Sequence, residues 1–245
     1  MATHEPTSPL AASLLRESGD SFSTGAFSAS SKGRLTPHDL ERFPGDTLFD
    51  RIGRAVCDAG CLPRKELYEA WETARRVRRL FRGGRIVDLA GGHGLLAHIM
   101  LLLDDTSPYA VVVDPAIPPS AAKLTASIAA AWPRIDRRVK FREASIDDVA
   151  LEPSDVVVSC HACGGLTDEI LDRATFVRAR VAVLPCCHDL KSGGTGNLTG
   201  WVDGPLAMDI MRAERLRSHR YNVWTQTIPA EVTPKNRLLI GAPIP

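Results

Sequence analysis

Three stretches of this sequence hold residue types that could do chemistry. Two are clusters of thiols and imidazoles, Cys160-His161-Ala162-Cys163-Gly164-Gly165 and Pro185-Cys186-Cys187-His188-Asp189. Such groups can ligate a soft metal. A thiolate can also attack an electrophile such as a pyrimidine base. The third possibility is plainer. Small polarisable side chains shape a pocket while His161 transfers a proton or makes a hydrogen bond. This reading expects no metal and makes His161, Cys163 and Cys186 the candidate catalytic residues. The third stretch is Ile86-Val87-Asp88-Leu89-Ala90-Gly91-Gly92-His93-Gly94, an apolar run, an acid and a glycine turn. Without side chains at the turn a ligand can reach the backbone, and the N–H groups opening the next helix can face it.

Two cofactor classes use such a turn. Gly92, Gly94 and Ala97 fit the spacing of a dinucleotide fingerprint. Asp88 points elsewhere, because a carboxylate at that strand end would repel a diphosphate. S-adenosylmethionine carries an ammonium and a sulfonium, which an acid attracts. The order Asp88-x-x-Gly91-Gly92-x-Gly94 resembles motif I of the class I methyltransferases. A second apolar run, Tyr109–Val113, ends in Asp114, whose carboxylate could accept both ribose hydroxyls of either cofactor. After a third strand, Asp147 could accept the adenine amino group, or else it or Asp148 caps a helix. The cofactor-binding candidates are therefore Asp88, Gly91, Gly92, Gly94, Asp114, Asp147 and His161.

The elements that must position these residues alternate between strands and helices. The apolar runs at 86–89, 109–113, 154–159 and 181–184, and the segment at 137–142 with its basic flanks, read as strands. Residues 221–228 and 237–241 read as a closing antiparallel pair, and 205–217 as a helix. Doubly wound sheets hold ligands at the carboxyl ends of their strands, where both cysteine clusters fall. Residues 191–200 are rich in Gly and Ser and read as a loop over the site. Upstream, Asp46-Thr47 could cap a first helix, and Pro63 starts a second with Leu67, Ala70, Trp71, Ala74, Val77 and Leu80 at helical spacing. Its polar face holds Arg75, Arg76, Arg78, Arg79 and Arg82, which are either solvated or in contact with RNA phosphates. Trp71 reads as core. The expected organisation is a mostly unstructured tail over 1–33 with a short helix over 11–17, a helical extension over 34–83 and a catalytic domain over 84–245.

A length of 245 residues permits one α/β domain plus an extension. A net charge of +1 gives no global basic field, so nucleic acid would need a local patch. No apolar run is long enough to cross a membrane. There is no signal-peptide pattern, and six unevenly spaced cysteines suit reduced thiols and a cytoplasmic location. Oligomeric state is not legible.

His161-Ala162-Cys163-Gly164, then Thr167-Asp168, then Pro185-Cys186-Cys187-His188, is similar to the signature of one methyltransferase family. That family includes the eukaryotic tRNA acceptor-stem 2′-O-methyltransferases and the methyltransferase domain of glutathione-S-transferase C-terminal-domain-containing proteins. The resemblance runs from about Leu67 to the C-terminus. It implies a Rossmann-like seven-stranded α/β methyltransferase sheet and S-adenosylmethionine as cofactor. It also implies Asp88, Gly91, Gly92 and Gly94 at the cofactor turn, Asp114 at the ribose, and His161, Cys163, Cys186 and Cys187 at the site. RNA is the leading acceptor, with a protein, a small molecule or a non-catalytic binding role as alternatives.

Overall fold

A computed structural model describes residues 28–192 and 194–245. Most of the expected tail, residues 1–27 with its helix over 11–17, lies outside the described residues. Residues 28–33 belong to the packed chain instead. The N–H groups of Lys65 and Arg64 donate to the carbonyls of Ser31 at 3.1 Å and Gly33 at 3.0 Å.

Two helices precede the first strand. In α1 (Leu48–Ala59) the Thr47 hydroxyl accepts the Asp50 N–H at 3.1 Å, an N-cap that satisfies one otherwise unpaired donor. Helix α2 (Arg64–Leu80) follows Pro63. The order then runs β1 (Ile86–Leu89), α3 (Leu95–Leu102), β2 (Ala110–Asp114), α4 (Ser120–Ala131), β3 (Val139–Glu143), β4 (Val156–Ser159), α5 (Gly165–Phe176), β5 (Arg180–Val183), α6 (Gly204–Ser218), β6 (Tyr221–Thr227) and β7 (Arg237–Pro243). The seven strands lie in the order β3-β2-β1-β4-β5-β7-β6. Strands β1 to β5 are parallel, and β7 runs antiparallel between β5 and β6. This is the Rossmann-like methyltransferase sheet expected from the sequence.

A parallel sheet buried on both faces needs apolar side chains on both. Ile86, Ala110, Val112, Val156 and Val158 join one core with α1, α2, α3 and α4. Val87, Leu89, Val113, Val157 and Val181 join the other with α5 and α6. Alternation along a strand then decides where the polar residues go. Asp88 follows Ile86 by two, Asp114 follows Val112 by two and Cys160 follows Val158 by two, so all three aim at the α2–α3 face. The register pairs Asp88 with Val112 and with Val158, which sets them side by side.

Helix α2 packs on α3, and its apolar side chains share a core with the sheet. One expectation needs correction. Arg78 is not on a solvated polar face. It is 1 % exposed, ion-paired to Asp104 at 3.1 Å, and donates to the Met100 carbonyl at 3.1 Å and the Ser107 hydroxyl at 2.8 Å. Trp71 packs as expected, its ring 5.3 Å from that of Phe49.

Candidate active site

The carboxyl ends of β1, β2 and β4 open into a cavity of about 270 Å³. Asp88, Gly91, Gly92, Asp114 and His161 line it, together with Glu66, His93 and Cys160. Chain geometry shapes its floor. Gly94, at φ +75°, leads into α3, and a Cβ there would meet Val112 at 2.8 Å and Phe141 at 3.0 Å. Gly92, at φ +48°, has nothing within 4 Å of where a Cβ would lie, so a methyl group there would enter open space. Its N–H donates to Asp114 Oδ2 at 3.1 Å, and the Ala116 N–H donates to Asp114 Oδ1 at 3.0 Å. Ala90 sits at φ +55°, a left-handed conformation unusual for a residue with a side chain.

Behind the turn, His98 Nδ1 lies 2.7 Å from the Gly94 carbonyl, which can only accept. Nδ1 therefore carries the proton, and Nε2 is buried without a partner. Burial pushes the His98 pKa down to about 4. Asp88 is in the converse position. It is 1 % exposed and its Oδ2 has no partner. Burial pushes its pKa up to about 7, opposed by the Ala97 N–H and reinforced by the Asp114 charge. A buried carboxylate oxygen without a donor is costly until a cation or donor reaches it.

That orphan oxygen is the test of the cofactor. Asp88, Glu66 and Asp114 make the cavity acidic, and among the described residues no Lys or Arg lines it. A dinucleotide diphosphate would meet repulsion there, whereas the ammonium and sulfonium of S-adenosylmethionine would be drawn in. The residues fit S-adenosylmethionine. Once bound, it supplies an electrophilic methyl on sulfur.

The cysteine clusters stand beside this cavity. Of the signature residues, Cys163 and Cys186 are not in its wall. Their sulfurs lie 3.0 Å apart on the loops after β4 and β5. Those loops are tied together, with the Gly164 N–H donating to the Cys187 carbonyl at 3.2 Å. Burial first, then Cys163, pushes the Cys186 thiol above its ordinary value. Hydrogen bonding to Cys163 lowers that of Cys187, and Lys235 adds to the effect. The rest of the signature is scaffolding. Thr167 Oγ1 donates to the Ala162 carbonyl at 2.7 Å. Asp168 takes a two-pronged pair from Arg212, at 3.1 and 2.7 Å, and Arg215 at 2.6 Å. Arg212 also pairs with Asp209 at 3.1 Å, and Asp209 holds His188 Nε2 at 2.8 Å and Arg237 at 2.7 Å.

Asp147 lies outside the cavity wall. Its carboxylate pairs with Arg173 at 3.0 Å, and it is Ser145, not Asp147 or Asp148, that caps the short turn over 146–148. Glu66 and His93 are cavity residues that a reading for site residues missed. Glu66 and Glu69, three apart at the start of an arginine-rich helix, were the available signal. His93 Nδ1 lies 2.9 Å from the Ser120 hydroxyl. Burial lowers its pKa, with Glu66 opposing and Arg34 and His161 adding.

Of the five arginines proposed for phosphate, Arg75 and Arg76 pair with Glu72, and Arg78 and Arg82 with Asp104. Arg79 is exposed and has no acidic partner among the described residues. No helix among the described residues is long and apolar enough to cross a membrane.

Comparison with known proteins agrees with this geometry. An O-methyltransferase family protein from Burkholderia thailandensis superposes with a TM-score of 0.50 at 16 % identity, over 86 % of this chain and 64 % of that one. This chain therefore spans under two thirds of that protein. A structure from Nostoc punctiforme assigned to the O-methyltransferases gives 0.50 at 13 % identity, over 85 % of this chain and 70 % of the other. At such identities the likeness shows the fold. No curated protein matches the sequence. A family model described as a methyltransferase domain matches residues 66–192, which begins inside α2 and ends past both cysteine clusters. The chain thus belongs to that methyltransferase-domain family.

Proposed function

We infer that the methyl acceptor is RNA, presented at the edge formed by the loops after β4 and β5. The observation that carries this reading is the contrast between cavity and rim. The cavity is acidic, while the β5–α6 connection exposes Trp201, 89 % accessible, and Lys191, with Lys235 exposed beside Cys187. An exposed indole on the same connection as an exposed lysine suits a stacked base and its phosphate. The resemblance of the His161–Cys163 and Cys186–His188 motifs to the tRNA acceptor-stem enzymes supports the same class.

In this reading His161, exposed at the cavity edge, orients the acceptor or takes its proton as the methyl moves. The protein otherwise contributes alignment of the two reactants and exclusion of water. The pairing of Arg75, Arg76 and Arg78 on α2, and of Arg82 just beyond it, with acidic side chains favours a second reading, a protein or small-molecule acceptor, because those cations already have partners.

The test is transfer of radiolabelled methyl from S-adenosylmethionine to total RNA, to total protein and to a small-molecule extract from the same cells. Nuclease-sensitive label that falls with Trp201→Ala is expected. Label confined to protein or to small molecules would overturn the RNA reading.

A further inference from the structure

Cys163, Cys186 and Cys187 place their three sulfurs within 4.8 Å of one another. We propose that these residues form a metal site for a soft divalent cation of the zinc class, with three thiolate ligands and a fourth position open to the acceptor side. The sequence favours no metal, because zinc ribbons place their cysteine pairs on flexible knuckles and adjacent cysteines rarely both ligate one tetrahedral ion. The chain leaves β5 at Val183, however, so Cys186 and Cys187 both lie in the loop beyond the strand.

Four observations support the site. A Zn–S bond of about 2.3 Å in a tetrahedron sets sulfurs about 3.8 Å apart, so a triangle with no side above 4.8 Å needs only small adjustment. Cys163 and Cys186, at 3.0 Å, must open slightly, and Gly164-Gly165 directly follow Cys163. The ligand loops are already joined by the Gly164–Cys187 hydrogen bond and braced on α6 by Arg212 and His188, so little ordering remains to be done on binding. Charge is also balanced. Three thiolates and a divalent ion carry one net negative charge, and Lys235 Nζ lies 3.6 Å from Cys187 Sγ.

The fourth ligand is not His188, whose ring nitrogens lie outside the 4.8 Å cluster that the three sulfurs form. Cys163 and Cys187 are both exposed, so the open position faces solvent. Three protein ligands with one open position is the pattern of reactive rather than purely structural zinc sites. The site stands independently of whether the acceptor is RNA.

The experiment uses the full chain, kept reduced and stripped of metal, titrated with Co²⁺ and then with Zn²⁺. One Co²⁺ per chain should bind with a near-ultraviolet thiolate charge-transfer band, and Zn²⁺ should displace it. Each of Cys163→Ser, Cys186→Ser and Cys187→Ser should cut that band by about a third and weaken binding about tenfold or more. The Cys57→Ser, Cys61→Ser pair should change neither. S-adenosylmethionine binding by each variant reports that it is folded. No band at equimolar Co²⁺, or a band that survives in all three single variants, would overturn the site.

Discussion

The N–H of Gly92 donates to the carboxylate of Asp114 across 3.1 Å, so the turn after β1 is fastened to the end of β2. A ribose held by Asp114 would therefore rest on a carboxylate that also fixes the glycine turn. Asp114→Ala should weaken S-adenosylmethionine binding by about 2–4 kcal/mol, since hydrogen bonds to a charged group are worth about 1.5–3 each. Asp114→Asn should lose less, because its amide oxygen can still accept the Gly92 N–H. Calorimetry with both variants checks this, and an unchanged Kd for Asp114→Ala would remove Asp114 from the cofactor site.

Gly92 and Gly94 should fail differently. A Cβ at Gly94 meets Val112 and Phe141 at φ +75°, so Gly94→Ala should lose about 1–3 kcal/mol of stability and melt earlier. At Gly92 there is open space at φ +48°. Gly92→Ala should cost only about 1–2 kcal/mol in stability, with the larger loss in cofactor affinity. Melting curves and titrations of both proteins would separate the two effects. Equal losses of affinity would mean that the space beside Gly92 is not part of the cofactor site.

Much of this site was legible because it is local. Asp88, Gly91, Gly92 and Gly94 lie in one short segment whose strand, turn and helix follow from its own residues. Asp114 follows from strand periodicity. What was hidden depends on partners distant in sequence. Arg78 belongs to the polar face of α2 on a helical wheel, and only Asp104 and the end of α3 make it a core residue. Glu66 reaches the cavity because α2 packs against α3, a packing that no spacing reveals. The meeting of Cys163 with Cys186 and Cys187 needs β4 beside β5 and two loops with the same bend. The resemblance anticipated that both motifs share a site, and the structure assigns Thr167 and Asp168 to holding it.

Cofactor affinity should depend on pH through Asp88. Its carboxyl ionises at about 7 in the folded chain instead of 3.8, and the cationic cofactor favours the ionised form. Kd should therefore rise by up to about tenfold per unit as pH falls from 7 towards 5. Asp88→Asn should bind weakly with little dependence in that window. A wild-type Kd that stays flat between pH 5 and 7.5 would show that the cofactor does not engage this carboxylate.

Arg212 should be needed for the acceptor edge and for stability. It is 2 % exposed and joins Asp168 to Asp209, so Arg212→Ala removes one partner from each carboxylate while Arg215 stays on Asp168 and Arg237 and His188 stay on Asp209. Leaving a buried charge uncompensated costs about 3–5 kcal/mol, and the remaining partners bring the expected loss below that, to about 2 kcal/mol. Urea unfolding measures it. A loss below about 1 kcal/mol would mean the network contributes little.

His161→Ala should slow methyl transfer by about 10²–10⁴ if the imidazole carries a proton. Single-turnover rates with saturating cofactor isolate that step. Full activity would leave His161 as a wall of the cavity only.

His98 and Asp88 flank the glycine turn with opposite responses to acid. Asp88 titrates above its unfolded value, so lowering the pH from about 7 to 3.8 relieves a buried charge and stabilises the cofactor-free fold. His98 titrates below its unfolded value, so lowering the pH from 6.5 to about 4 draws protons to the unfolded chain and destabilises the fold. The two windows overlap and the two slopes oppose each other. The empty protein thus carries an internal compensation for mild acid at its cofactor turn. Ligand removes it, because a cation against Asp88 keeps that carboxylate ionised and leaves His98 unopposed. Acid tolerance, and not only affinity, then distinguishes the loaded protein from the empty one.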